Sequence, residues 1–340
     1  MSTSATTKEK TAVSPDKGSQ PDTPARAEQL STAMGQLVDN IERVIVGKRD
    51  VVELLVIGML SGGHVLIEDV PGTGKTMLAR SLARSVNGNY KRIQFTPDLL
   101  PADVTGAMVF NMKTQTFEFR QGPVFTNILL ADEINRGTPR TQSSLLECME
   151  EGMVTADGQN YPLSSPFFVI ATQNPIEHYG TYPLPEAQLD RFCMRLQVGY
   201  PSLKEESDIV HARLTGEPLE ELQAVLSPED VLRLRKQIRQ IYVEEKIRNY
   251  AIRICAATRE HHDIRLGASP RASLAIIRVA QGIAALRGRD YTIPQDIKTA
   301  SLPVLGHRLI VGGHSGNGQI QADEVVKAVV NQTPVPVVSQ

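Results

Sequence analysis

Tryptophan is absent from this chain of 340 residues, and eight Tyr and eight Phe are its only aromatic side chains besides histidine. So few rings argue against a platform on which unpaired bases could stack. Neither sign of charge is in excess: 36 Lys and Arg stand against 38 Asp and Glu, a net of −2 with an isoelectric point near 6.4. That balance supplies no global attraction to nucleic acid or to anionic membranes. Cysteine is scarce, and Cys148, Cys193 and Cys255 lie far apart in apolar contexts. They have neither metal-ligand spacing nor the even number of a disulfide framework, and read as reduced core residues of a cytoplasmic protein. No apolar run approaches the roughly 20 residues of a membrane span, and the first residues lack the charged-then-apolar pattern of a secretory signal. A hydrophobic content of 41% with 22% charged residues describes a globular chain of one large or two ordinary domains.

The most informative stretch is His64-Val65-Leu66-Ile67-Glu68-Asp69-Val70-Pro71-Gly72-Thr73-Gly74-Lys75-Thr76. It reads as a buried strand entering a phosphate-binding loop and then a helix, whose apolar face is marked by Met77, Leu78, Leu82 and Val86. A Gly-rich turn lets backbone N–H groups point at phosphate oxygens, and the helix adds its partly positive N-terminus. In this pattern Lys75 reaches the β/γ-phosphates and the Thr76 hydroxyl ligates Mg²⁺. Asp69 stands where the motif has its first Gly.

Two further apolar runs end on polar residues. Asn127-Ile128-Leu129-Leu130-Ala131-Asp132-Glu133 suits a strand buried on both faces that closes on two carboxylates. Asp132 fits the metal-side carboxylate, and Glu133 fits the base that polarises the attacking water. Phe167-Phe168-Val169-Ile170-Ala171-Thr172 leads to Gln173-Asn174-Pro175, with Asn174 placed to orient that water. Ligands of an open parallel sheet bind at the carboxyl ends of its strands, so these segments point to one crevice and to ATP with Mg²⁺.

On these residues the chain resembles AAA+ ATPases, and within them the MoxR group. The resemblance is carried by Asp69 to Thr76, Asp132-Glu133-Ile134-Asn135-Arg136, Gln173-Asn174-Pro175, Leu184-Pro185-Glu186-Ala187-Gln188-Leu189-Asp190-Arg191-Phe192 and Gly267-Ala268-Ser269-Pro270-Arg271-Ala272. It covers about Arg26 to about Val330. It implies an αβα sandwich with a five-stranded parallel sheet and a smaller all-helical lid. It also implies a nucleotide pocket of Val46, Gly47, Pro71, Gly72, Thr73, Gly74, Lys75, Thr76 and Met77, with Thr76 and Asp132 on the metal. Asn174 corresponds to sensor 1, Arg191 to an arginine finger offered to a neighbouring subunit, and Arg271 to sensor 2, which meets the γ-phosphate when the lid folds over the cleft. The implied assembly is a homo-oligomeric ring, a hexamer. The implied role is chaperone-like remodelling, maturation or metal insertion, with a client carrying a von Willebrand factor type A domain. A magnesium-chelatase-like motor subunit and a nucleotide-dependent scaffold with little turnover are the alternatives.

The chain divides into four parts. Residues 1–27 are rich in Ser, Thr, Lys and Pro, too poor in large apolar groups to repay ordering, and read as a disordered tail. Residues 28–201 alternate strands, near 64–69, 91–95, 127–132, 166–173 and 192–199, with helical segments. Two hairpins interrupt them: one over Met108 to Arg120, and one over Met153 to Pro162 turning at Asp157-Gly158. Residues 202–331 read as the helical lid, in which Ser227-Pro228-Glu229-Asp230 is a helix start. Residues 332–340 read as a loose tail. His261-His262 does not make a metal pair, because adjacent helical residues do not face one site. The basic stripe Arg233, Arg235, Lys236 and Arg239 reads as a solvated helix face.

Overall fold

The computed structural model describes residues 23–175, 180–312 and 318–336. Most of the expected N-terminal tail and the last four residues lie outside them. Helix α1 (Thr23–Glu42) begins inside the segment assigned to that tail, and α2 (Arg49–Leu60) follows. The chain then runs through β1 (Val65–Glu68), α3 (Lys75–Ser85), β2 (Tyr90–Gln94) and the short α4 (Pro101–Thr105). A hairpin of β3 (Gly106–Asn111) and β4 (Thr116–Gln121) precedes β5 (Ile128–Asp132) and α5 (Pro139–Glu151). The second hairpin, β6 (Met153–Ala156) and β7 (Gln159–Pro162), leads to β8 (Phe168–Gln173), α6 (Glu186–Leu189) and β9 (Met194–Leu196).

Five strands form one parallel sheet in the order β2-β5-β8-β1-β9. Alternate side chains of the central strands enter two cores. Val65, Ile67, Ile128, Leu130 and Ile170 pack with α1, α2 and α3. Leu66, Ile93, Leu129, Ala131, Val169 and Ala171 pack with α5. Helices on both faces explain why β1, β5 and β8 read as continuous apolar runs. The hairpins lean on each other, with Phe119 of β4 stacked on Tyr161 of β7 at 4.2 Å between ring centroids.

The region after β9 departs from a simple lid. Helices α7 (Leu203–Thr215) and α8 (Pro218–Glu221) follow α3 instead of joining the helices that come later. Arg213 donates to the Met77 sulfur, Arg84 donates to Leu222 O, and the Val225 and Leu226 amides donate to Ser85 O. Because α3 runs from the carboxyl edge of the sheet to its amino edge, this segment carries the chain from one edge to the other. The lid proper is α9 (Pro228–Ile238), α10 (Glu245–Glu260), α11 (Pro270–Leu286), α12 (Pro294–Leu305) and α13 (Gly318–Gln332), with a small ribbon of β10 (Ile264–Leu266) and β11 (Ile310–Val311). It is delivered to the amino edge, where Arg235 donates to Met59 O at the end of α2. The lid's apolar side is continuous with the core of α1, α2 and β9.

At that edge the buried His64 bridges three elements. Its Nδ1 accepts from the Val169 amide at 3.0 Å, which leaves Nε2–H to donate to Met149 O at 3.0 Å. Burial holds its pKa down to about 4, against 6.5 for a free imidazole. The unfolded chain therefore takes up a proton between pH 6.5 and 4 that the native chain refuses. Stability should fall as pH drops through this window, by up to about 3 kcal/mol at its lower end. Urea melts at pH 7 and pH 5 check this, and equal stabilities at the two would show that His64 protonates within the fold.

Candidate functional site

The phosphate loop takes its shape from Gly72 and Gly74, at φ +85° and +87°, a left-handed backbone that residues with a Cβ rarely adopt. Gly74 is also the N-cap of α3. Asp69, in the place of the motif's first Gly, is buried and has a structural task. Its Oδ2 accepts from the Val198 and Gly199 amides at 2.9 and 2.6 Å, and its Oδ1 from the Val70 amide at 2.8 Å. The carboxylate thereby ties the loop to the chain leaving β9. Lys75 Nζ donates to Asp69 O and Val70 O at 2.7 and 2.8 Å. Burial pushes its pKa down, while Asp69, Asp132 and Glu133 push the other way. Those carboxylates therefore lie within electrostatic reach of the ammonium. Thr76 and Met77 follow in the first turn of α3, both half-buried, beside exposed Pro71 and buried Thr73. Val46 and Gly47 lie in the α1–α2 link, at the same edge: Gly47 (φ +73°) packs against the Glu205 side chain, and Lys48 donates to Tyr200 O.

On the neighbouring strands, β5 ends at Asp132 and β8 at Gln173, so Asp132, Glu133 and Asn174 reach this edge with Lys75. Asp132 Oδ1 accepts from the buried Thr172 hydroxyl at 2.6 Å, and that hydroxyl accepts from the Glu133 amide at 2.9 Å. Glu133 sits at φ +54°, a sparsely populated backbone state for a residue with a side chain. Its Oε2 accepts from Gln94 Nε2 at 2.7 Å and pairs with Arg136 Nε at 3.1 Å. A Thr hydroxyl and a carboxylate are hard oxygen donors, a set that suits Mg²⁺.

Arg191 and Arg271 are elsewhere. Arg191 precedes β9 and so belongs to the amino edge of the sheet, while α5 carries Glu150 back to the same edge. One oxygen of Glu150 meets Arg191 Nε at 3.0 Å and the other meets Arg271 Nη2 at 2.6 Å. Both arginines line a cleft of about 240 Å³ with Gly63, His64, Glu150 and Arg308. A strand's length, on the order of 15 Å, separates them from Lys75 of their own chain. The sequence expectation put Arg271 over the nucleotide of its own subunit; here it stands beside Glu150, with the lid carried to the amino edge by the α7–α8 segment. Ser269 is the N-cap residue of α11, but its hydroxyl donates to Asp190 Oδ2 at 3.1 Å instead of capping the helix. Arg308 donates to Asp190 Oδ1 at 2.7 Å, so lid residues hold the neighbour of Arg191 from both sides.

Residues 64–194 match the family model for the ATPase family associated with various cellular activities (AAA), and residues 256–329 match that of an AAA lid domain. The chaperone MoxR1 of Mycobacterium tuberculosis is 42% identical over 93% of this chain and 86% of its own. The chain belongs to the MoxR family of AAA ATPases. The uncharacterized protein YeaC of Bacillus subtilis is 49% identical to this MoxR-family chain over 92% of it and 98% of YeaC. A crystal structure from Cytophaga hutchinsonii, of a protein assigned as an ATPase, superposes with a TM-score of 0.83 at 36% identity, covering 92% of this chain and 98% of that one. In this MoxR-family chain the motif reading misses Thr172, Arg92, Gln94 and Glu150. Only Arg92 and Gln94 leave a sequence signal, as polar residues alternating with Ile93 on an edge strand.

Proposed function

We propose that this chain binds ATP with Mg²⁺ at the carboxyl edge of its sheet, hydrolyses it, and uses the cycle to remodel partner proteins. Lys75 and the loop amides hold the phosphates, while Thr76 and Asp132 hold the metal ion, which when bound offsets phosphate charge. Asn174 orients a water and Glu133 takes its proton as the oxygen attacks the γ-phosphorus. The bond to the β-phosphate oxygen breaks, and ADP leaves with that electron pair.

The observation that carries this reading is the division of the charged groups between the two edges. Nucleotide, metal and base residues sit at one edge, and Arg191 with Arg271 at the other, held as a pair by Glu150. A subunit so built keeps Arg191 and Arg271 away from its own phosphate loop and presents both to a neighbour. Repeating that head-to-tail contact closes a ring, for which a hexamer is the expected size. Mg²⁺ dependence, a cytoplasmic location, and a client that carries a von Willebrand factor type A domain or receives a metal ion complete the proposal. They rest on the family. Among the described residues no helix is long and apolar enough to cross a membrane.

Sedimentation of Glu133→Gln with and without ATP tests the ring, because this variant should load nucleotide without turning it over. Assembly to a closed oligomer with ATP is the expected result. A chain that remains monomeric while the parent hydrolyses ATP at full rate would refute the shared site. The same trapped ring, used as bait, tests whether the client carries the expected domain.

A further inference from the structure

The edge strand β2 presents Arg92 and Gln94 on the same face of the sheet as Asp132, with Gln94 opposite Asp132 in the strand register. Asp132 Oδ2 accepts from Arg92 Nε at 3.1 Å and from Arg92 Nη2 at 2.6 Å. The same Nη2 donates to Gln94 Oε1 at 2.7 Å, and the other end of that amide, Nε2, donates to Glu133 Oε2 at 2.7 Å. A single guanidinium thus joins the metal-side carboxylate to the side chain that holds the base.

We propose that Arg92 is a positioning residue that couples the metal side of the site to Glu133: it fixes the Gln94 amide and opposes a second cation at Asp132. This rests on the ATPase reading above. The two ends of an amide are a donor and an acceptor, so the partner of one end decides what the other offers. With Oε1 pinned by Arg92, the Gln94 NH₂ must face the Glu133 carboxylate. Without Arg92 the amide loses its anchor at Oε1, and its charge-assisted bond to Glu133 is held less firmly in place. Arg92 is also the fixed positive charge at Asp132 Oδ2, so a divalent ion recruited to Asp132 works against it. A cation held at Asp132 would weaken the hold of this guanidinium, which also fixes Gln94, so that occupancy of the metal side would reach the base through two side chains. Lysine does not replace Arg92, because a compact ammonium lacks the planar fork that meets Asp132 through two nitrogens while one of them also reaches Gln94.

The test measures binding and turnover separately on the full-length chain. Binding is followed by Mg²⁺ titration of a fluorescent ATP analogue, and turnover by phosphate release at saturating Mg²⁺ and ATP. Arg92→Ala should lower the Mg²⁺ concentration for half-maximal binding by about two- to fivefold, as expected for removal of one half-exposed ion-pair partner. It should also lower turnover by roughly tenfold, part of what a general base contributes. General damage to the site would weaken both, so the opposite signs are diagnostic. Gln94→Ala should lower turnover similarly with the Mg²⁺ midpoint unchanged, and the double variant should turn over no more slowly than the worse single one. Arg92→Lys should keep the parent's Mg²⁺ midpoint and lose turnover. An unchanged or raised midpoint in Arg92→Ala, or additive losses in the double variant, would overturn the proposal. A parent that releases no phosphate from ATP would overturn the ATPase reading instead, and the Mg²⁺ midpoints would remain interpretable as binding data.

Discussion

Replacing Glu133 with Gln is expected to leave ATP binding near that of the parent while lowering turnover by roughly 10²–10⁴-fold, the usual contribution of a general base. The amide keeps the size of the carboxylate and its hydrogen-bonding reach, but cannot take the proton of the attacking water. Lys75→Ala should fail at the earlier step. Its ammonium, bonded to Asp69 O and Val70 O at the turn of the loop, supplies a positive charge that the backbone amides do not replace. Equilibrium binding of a fluorescent ATP analogue and a phosphate-release assay separate the two effects. Parental turnover in the Gln variant would take Glu133 out of its role. Parental affinity in the Ala variant would do the same for Lys75.

The second large effect distinguishes the two possible directions of Arg271. Arg191→Ala and Arg271→Ala should each bind ATP nearly as the parent does and hydrolyse it poorly, since a cation placed against the γ-phosphate acts on the transition state. Each should regain activity when mixed with Lys75→Ala. In a mixed ring the intact loop of the arginine variant meets the intact arginines of the Lys75→Ala chain, a combination that neither variant offers alone. For Arg271 the result is decisive: if it served its own subunit, every chain with an intact loop in that mixture would still lack it, and nothing would be recovered. Recovery for Arg191 but not for Arg271, in mixtures shown to co-assemble, would return Arg271 to its own chain's nucleotide and contradict its place beside Glu150.

Much of the architecture is legible in short stretches of chain. A run such as Ile128 to Ala131, with no polar residue, fits a strand covered on both faces, and the residues after such a strand in a parallel sheet must emerge at its carboxyl edge. Local continuity therefore puts Lys75, Asp132, Glu133 and Asn174 at the same edge without further information. Gly72 and Gly74 declare their turn because few other residues tolerate a positive φ. The hairpin over Asp157-Gly158 is likewise set by its turn residues.

Asp69, Arg92 and Arg271 were not legible in that way, and each for a physical reason. The Asp69 carboxylate is satisfied by amides of Val198 and Gly199, well over a hundred residues away in the chain. Its departure from the loop motif acquires a meaning only when β9 lies beside β1. Arg92 looks like any charge on an exposed edge strand until the register of β2 on β5 sets Gln94 across from Asp132. The position of Arg271 was beyond sequence reasoning, since a helical pattern from Leu203 onward says that helices form and not where they pack. That was settled by α7 and α8 lying along α3 and by the apolar faces of α9 to α13 meeting α1, α2 and β9. By itself the sequence determined the strands, the turn of the loop and the family, because those depend on contiguous residues. Where Arg191 and Arg271 stand was decided by tertiary packing alone, because burying the lid's apolar side against the helical face of the core fixes the edge of the sheet at which they meet.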